Sequence, residues 1–409
     1  METPREDSDK PSVEPRGPAV WENWNAARPD RPFPPAYEVP LYTDAEITGG
    51  LGEGYGPYRL INVGAPQRRG LARPAIVLRA EAQIVFDTEE ILSQVEHLPR
   101  GTMCKRYHGG GPDDGVTALF SLSLGIRLKP GDRSREFVPD GDPKGRPLPG
   151  LRGEPVLLRN AGRPVIPRAV RKQSLNDDVL VKCLPSLDPD DAFTVVRAAR
   201  LYQDALWIAE SQPQLSWLMF ASAVETAAGH CKADTGSARD MVRSWDAELD
   251  GLLGQCDGEL ADKIAQKLVD LMRSKKKFMD FLWRFLPDPP DQRPPEWGRC
   301  PWADDERALR AGLARIYDYR SRALHDGSPF PIPMCDSPEM VPVGERKVPV
   351  ERPIGQKVGV PAAGAEWLAS ELPMYLHTFE YIVQGALCKW WESMIPKEQA
   401  AEALRPCSG

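Results

Sequence analysis

The change of hydrophobic period at residue 188 is the feature that most constrains the fold. Before it, apolar and polar residues alternate, as along residues 120–128, which is typical of half-buried strands. After it, apolar residues recur at helical spacing. The run Asp188-Pro189-Asp190-Asp191 offers a helix N-cap, a proline at the first helical position and an acid in the first turn. We therefore predict an α+β chain, in which a mainly β N-terminal domain precedes an all-α helical bundle.

Chain length favours two domains, because 409 residues exceed the size at which one hydrophobic core usually stops growing. Residues 1–40 are rich in proline and charge, which is typical of a flexible arm, and Trp21 and Trp24 are candidates to anchor its end. The predicted parts are the arm (1–40), a mainly β domain with a sensor or regulatory role (41–183), a helical domain (188–395) with a Pro-rich insertion or loop (327–361), and a tail (396–409).

Periodicity and capping signals also predict individual elements. In the β domain the predicted strands cover 80–86, 120–128, 156–158 and 179–181, with a short helix at 87–95. In the helical domain the predicted helices cover 188–210, 214–229, 260–285, 304–324 and 365–394.

Composition excludes several classes of protein. Net charge is −7, which argues against a protein that coats nucleic acid by bulk charge. The basic stretch at 144–172 is interpreted as a solvated surface, with phosphate contact as the alternative. Eight cysteines without a C-x-x-C pair indicate neither a zinc site nor a disulfide framework. No apolar run is long enough to span a membrane and no leader is evident, so a cytoplasmic protein is expected.

The segment that carries candidate chemistry runs from Ile316 to Gly327 and closes the predicted 304–324 helix. Arg320 and His325 are five positions apart, so on a regular helix they point about 140° from each other. Loosening of the helix end before Gly327 is expected to let them converge. Walker, dinucleotide-binding, H-E-x-x-H and G-x-S-x-G motifs do not occur in the sequence.

This segment resembles the HEPN superfamily, and particularly its Apea-like branch, in which a Tyr-x-x-Arg-Ser-x-x-x-His-x-Gly-like signature closes a helix of a four- to five-helix domain. An apolar helix with one acidic residue, Glu225, resembles an earlier helix of that family. The resemblance covers about 188–395. The residues that match the signature are Tyr317, Arg320, Ser321, His325 and Gly327.

The resemblance implies a metal-independent endoribonuclease that needs no cofactor, in which a homodimer brings two Arg-x-x-x-x-His segments together over RNA. A bacterial defence or stress effector with a protein antidote or trigger is the expected context. His325 suits proton transfer because its side chain titrates near neutral pH, and Arg320 suits charge stabilisation at phosphorus. Ser321 is expected to orient phosphate or water, and Glu225 to orient Arg320 or Arg322.

The same residues also allow a non-catalytic reading, a helical module that binds RNA or a protein partner. His325 then complements the helix dipole, and Glu225 is an ordinary ion-pair partner. Tyr317 and Tyr319 are core or interface residues in this alternative. Lys275, Lys276 and Lys277 form a solvated face, with attraction of RNA as the other interpretation.

Overall fold

The structure is a computed structural model in which a strand-rich N-terminal region precedes a helical C-terminal region, so the α+β prediction is confirmed. The residues that it describes are 17–27, 36–49, 51–63, 72–81, 110–138, 141–150, 154–157, 163–175, 180–231, 237–245, 247–353, 358–360 and 365–397. The predicted 87–95 helix, most of the 80–86 strand and residues 398–409 of the tail lie outside them.

The main sheet is antiparallel and has the strand order β3-β4-β5-β1-β7-β8, with β6 also paired to β1. Alternate residues of β1 face the core, and Val39 and Leu41 stand opposite Leu78 and Ile76 of β5. The strands of this sheet are β1 (Tyr37–Thr43), β3 (Leu51–Tyr55), β4 (Tyr58–Asn62), β5 (Arg73–Ala80), β6 (Lys129–Pro130), β7 (Arg135–Glu136) and β8 (Arg146–Pro147). A separate parallel pair joins β2 (Glu46–Thr48) to β9 (Lys172–Ser174).

The helices begin where the sequence offers caps. The side chain of Asp188 accepts a hydrogen bond from the backbone N–H of Asp190, so the predicted helix start is confirmed. The α-helices are α1 (Ala19–Ala26), α2 (Pro112–Leu124), α3 (Pro189–Ile208), α4 (Pro213–His230), α5 (Ala238–Trp245), α6 (Ala247–Leu253), α7 (Gly258–Arg284), α8 (Glu306–His325), α9 (Ile332–Cys335) and α10 (Leu376–Met394). Helices α3, α4, α7 and α8 confirm four of the predicted helices to within a few residues.

The predicted strand at 120–128 is wrong, because α2 occupies most of it. Helix α2 is buried on nearly all sides and packs against α1, α3 and α10, so it lacks the polar stripe of an amphipathic helix. Ser121, one of the polar positions in the alternating pattern, is buried as well. Its hydroxyl donates to the carbonyl of Ile126 at 2.7 Å. Gly125, with φ of 64°, ends the helix in the left-handed conformation.

Other N-terminal predictions also change. Val156 and Leu157 lie in irregular backbone, and Val181 begins a 3-10 helix (Val181–Ser186) instead of closing a strand. Within the predicted arm, α1 and the start of β1 are ordered. The anchoring role of the tryptophans is confirmed, because Trp24 is buried and the Trp21 indole donates to the Leu187 carbonyl at 3.1 Å.

The Pro-rich segment 327–361, expected to be an insertion or loop, contains several short elements of regular structure. It contains α9 and an antiparallel hairpin of β10 (Met340–Val343) and β11 (Arg346–Pro349). It also contributes to the core, since Phe330 and Val350 are buried. A further antiparallel pair joins β12 (Val358–Val360) to β13 (Ala365–Trp367).

The last predicted helix, 365–394, begins too early. The structure has β13 and a 3-10 turn (Ala369–Glu371) in its first part, and α10 starts at Leu376. Pro373 explains the delay, because proline disfavours helical backbone at the residue before it and lacks the N–H that a helix interior uses.

One buried cluster contains residues from both regions of the chain. At its centre the Trp217 ring stacks between Phe330 and Phe379, with centroids 5.1 and 4.9 Å away. A fully buried ion-pair triad also joins the regions: the Arg127 guanidinium binds Asp44 and Glu210 and donates to the carbonyl of Leu206. The helical region therefore packs directly on the strand-rich one.

Candidate functional site

Helix α8 positions the Arg320 to His325 segment. Its N-terminus is capped by Asp305, whose carboxylate accepts from the backbone N–H of Ala308 at 3.1 Å. Leu309, Leu313 and Ile316 repeat at helical spacing and are buried, so one face is fixed against the bundle. The rotation of the helix is thereby set, and the last turn is left at the surface.

Arg320 is held across the bundle by Glu225 of α4. Its Nη2 atom donates to Glu225 Oε2 at 2.5 Å. The two side chains are 19% and 21% exposed, so water screens the pair only in part. The structure thus pairs Glu225 with Arg320 and not with Arg322, whose guanidinium lies 4.6 Å from the centroid of the Tyr319 ring.

A second feature of Arg320 is its Nε–H, which is buried and has no hydrogen-bond partner among the residues that the structure describes. A buried donor without an acceptor is uncommon and costly. Its guanidinium also lies 5.7 Å from the centroid of the Tyr317 ring. Glu225 and Tyr317 therefore orient the guanidinium, and its Nε–H is left as a donor without an acceptor among the described residues.

Tyr317 lies beneath this ion pair and belongs to the core. Its ring contacts Phe278 of α7, with centroids 5.2 Å apart. Burial and the nearby Glu225 carboxylate raise the pKa of the Tyr317 phenol, so it stays neutral near pH 7. Tyr319 is also buried, and its hydroxyl donates to the carbonyl of Glu371 at 2.8 Å.

His325 is the last residue of α8 and is exposed. The expected loosening of the helix end is wrong: the helix is regular through His325, Asp326 N–H donates to the Arg322 carbonyl at 2.8 Å, and Gly327 then turns with φ of +67°. Arg320 and His325 therefore remain about 140° apart around the axis. The structure does not bring them together within one chain.

Other groups share the face of His325. Ser321 and Arg322 precede it by four and three positions, so they lie on the same side of α8. Ser321 is half-buried and Arg322 is exposed. The cation nearest in angle to His325 is therefore Arg322, which the sequence signature places only in a supporting role.

Sequence reasoning missed the contribution of α7 to this surface. Lys275 of α7 donates to Asp318 of α8 at 2.6 Å, and Lys276 pairs with Asp280 along its own helix at 2.8 Å. These exposed pairs reduce the net charge of the lysine face. The helical spacing of Lys275 and Phe278 placed both on one side of α7, but only the packing showed that this side meets α8.

Among the residues that the structure describes, no group of three or more His, Cys, Asp or Glu side chains is arranged to hold a metal ion. In the same part of the chain, no helix combines the length and the apolar character required to cross a membrane.

Comparison of the chain with protein-family models, with curated proteins and with solved structures found no match.

Proposed function

We propose that the chain is a metal-independent endoribonuclease of the HEPN type, which acts in the bacterial cytoplasm as a defence or stress effector. The observation that carries the proposal is the ion pair that holds Arg320 against Glu225 one turn before an exposed His325 on the same helix end. A fixed cation and a proton-transfer group are what cleavage of a phosphodiester by acid–base chemistry requires, and α8 carries both near its C-terminal end.

The reaction that these groups support is intramolecular attack of a ribose 2′-hydroxyl on the adjacent phosphorus. The new 2′-oxygen bond to phosphorus forms as the bond to the 5′-oxygen breaks, which leaves a 2′,3′-cyclic phosphate and a 5′-hydroxyl. Neutral His325 accepts the 2′-hydroxyl proton, or protonated His325 supplies one to the leaving oxygen. Arg320 stabilises the charge that builds on the phosphoryl oxygens.

The orientation of the two side chains makes a homodimer part of this proposal. Because Arg320 and His325 diverge by about 140° on a regular helix, one copy does not aim both at one phosphate. Two copies that pair through the end of α8 place the histidine of each near the arginine of the other. Ser321 and Arg322 then contact the neighbouring phosphates of the bound RNA.

The test is incubation of the purified protein with a defined RNA in EDTA, followed by end-group analysis. We expect fragments that end in 2′,3′-cyclic phosphate from the wild type, and at least about a hundredfold slower cleavage for His325→Ala and Arg320→Ala. Arg307→Ala is the matched control, because Arg307 is an exposed arginine near the other end of the same helix. DNA of the same sequence must stay intact.

The second candidate is a non-catalytic module that binds RNA or a protein antidote or trigger. It is favoured by the same ion pair, because Glu225 neutralises Arg320 in the absence of substrate. This candidate predicts that RNA binds with a steep salt dependence and that no cleavage occurs in wild type or variants. Equal cleavage by wild type and His325→Ala would contradict the nuclease proposal.

A further inference from the structure

A cleft of about 240 Å³ lies where the strand-rich region meets the helical region. One wall comes from the 3-10 helix Pro167–Val170, which contains Arg168, and from Arg171, which lies between that helix and β9. The facing walls come from the connection between α7 and α8, which contains Trp302, from the end of β11, and from the first turns of α10. An apolar cavity of about 150 Å³ holds a benzene ring, so this cleft has room for one aromatic ring and a substituent.

The charges that line the cleft do not cancel. Arg168 is neutralised by Glu380, which it contacts through Nε at 2.6 Å and Nη2 at 2.8 Å. Arg171 donates to the backbone carbonyl of Leu124 at 2.5 Å, and among the described residues it forms no ion pair. This wall therefore carries two guanidinium groups but one paired carboxylate, Glu380, which leaves one positive charge in excess.

The acidic residue of the cleft does not remove that excess. Both carboxylate oxygens of Glu351 are held by Arg293, at 2.8 and 2.6 Å, and the backbone N–H of Cys300 also donates to Oε2 at 2.7 Å. Glu351 is thus neutralised by a cation of its own. Arg171 is exposed at the cleft, and partial desolvation together with the neighbouring Arg168 charge lowers the pKa of its guanidinium.

Two aromatic rings also line the cleft: Tyr381, whose ring centroid lies 5.0 Å from the Arg168 guanidinium, and Trp302, which is 2% exposed. Trp302 and Tyr381 stand 6.0 Å apart between ring centroids, and their planes are tilted by 60°. His377 is buried, and its Nε2–H donates to the carbonyl of Val350 at 2.8 Å. Burial lowers the pKa of His377 to about 4, so this imidazole is neutral near pH 7. Flat apolar surfaces beside one cation suit a ring that carries a single negative charge.

We propose that this cleft binds a small aromatic carboxylate, with the carboxylate on Arg171 and the ring against Trp302 and Tyr381. A carboxylate fits better than a phosphate ester, because one excess cation matches a monoanion, whereas a phosphate monoester carries about −1.5 to −2 at neutral pH. The bound molecule contacts both regions of the chain at once. This site is separate from the Arg320–His325 segment and does not depend on the nuclease proposal.

The experiment is ligand-observed NMR of the full chain, with saturation transfer to benzoate, to uncharged benzamide and to non-aromatic acetate, followed by titration. We expect transfer to benzoate and at least about tenfold weaker binding of benzamide, which corresponds to about 1.4 kcal/mol. Arg171→Gln is expected to weaken benzoate by a similar factor and to leave benzamide unchanged. Arg171→Lys, which keeps the positive charge, should recover part of the loss.

Lys172→Gln is the matched control, since it removes an adjacent exposed cation whose side chain is directed to Glu46. Tyr381→Leu should weaken benzoate without creating a preference for acetate. Circular dichroism and the melting temperature establish that each variant is folded. The proposal is overturned by absence of transfer to benzoate, by equal binding of benzoate and benzamide, or by benzoate affinity that is the same in Arg171→Gln and wild type.

Discussion

His377 makes the stability of this protein depend on pH in a calculable way. His377 lies in the first turn of α10, and its imidazole is buried against Val350, the residue that follows β11. Its Nε2 carries the proton, because it faces the carbonyl of Val350. Burial lowers its pKa from 6.5 to about 4. Below pH 6.5, therefore, the unfolded chain binds a proton at His377 that the folded chain does not bind. The contribution of His377 to the free energy of unfolding is present in full above that pH and is lost as pH falls towards 4.

The magnitude follows from the size of this change. Each unit of pKa difference between the folded and unfolded states is worth about 1.4 kcal/mol, so the move from 6.5 to about 4 corresponds to about 3 kcal/mol in total. About 2 kcal/mol of this is lost by about pH 5. Other groups titrate in the same range, and a variant that cannot titrate at this position separates the contribution of His377.

His377→Gln is that variant, because its amide still donates to the Val350 carbonyl but carries no charge. In urea unfolding, the free energy of unfolding of the wild type should fall by about 2 kcal/mol more than that of His377→Gln between about pH 7.5 and about pH 5. Parallel curves for wild type and His377→Gln would refute the reasoning.

Three further predictions test the packing and the candidate site. Arg127→Met leaves two buried carboxylates without their cation and should cost about 3–5 kcal/mol in urea unfolding; a loss under about 1 kcal/mol would contradict the triad. Gly125→Ala should lower stability by about 1 kcal/mol because φ is +64°, whereas Gly229→Ala, inside α4 with open space around it, should raise it by about 0.5–1 kcal/mol. Glu225→Gln should cost less than about 1 kcal/mol because the pair is partly exposed, yet slow RNA cleavage about tenfold; unchanged cleavage would mean that Glu225 does not orient Arg320.

Helix starts were the most predictable part of the fold, because the signals are local. The run from Asp188 to Asp191 predicted α3 correctly. A similar signal, Gly111-Pro112-Asp113-Asp114, opens α2, where Gly111 N–H donates to the Asp114 carboxylate at 2.9 Å. The strand prediction followed the alternation along 120–128 instead and did not use this signal. Alternation identifies a strand only when the polar positions face water, and the burial of Ser121 depends on tertiary packing that no local pattern contains.

The residues of the candidate site were chosen from the sequence, but their geometry could not be read from it. The sequence left open whether Glu225 pairs with Arg320 or with Arg322. The observed pair with Arg320 depends on how α8 is rotated about its axis relative to α4. That rotation is set by buried residues such as Leu313 and Ile316 and by the contact between Phe278 and Tyr317, which are far apart in the chain. The spacing of residues within a motif does not predict long-range packing of this kind.

The regular end of α8 has a chemical consequence for any activity at this surface. A helix that frayed before Gly327 would allow one copy to close Arg320 and His325 on a single phosphate, but the backbone bond from Asp326 to the Arg322 carbonyl keeps the last turn intact. Under the nuclease proposal, Arg320 and His325 can therefore meet at one phosphate only through a second copy or through unwinding of that turn. A mixing experiment distinguishes these alternatives. If the site forms in a dimer, mixing the inactive Arg320→Ala and His325→Ala proteins restores activity, because one copy supplies the histidine and the other the arginine. Activity that is linear in protein concentration, without such rescue, would indicate unwinding.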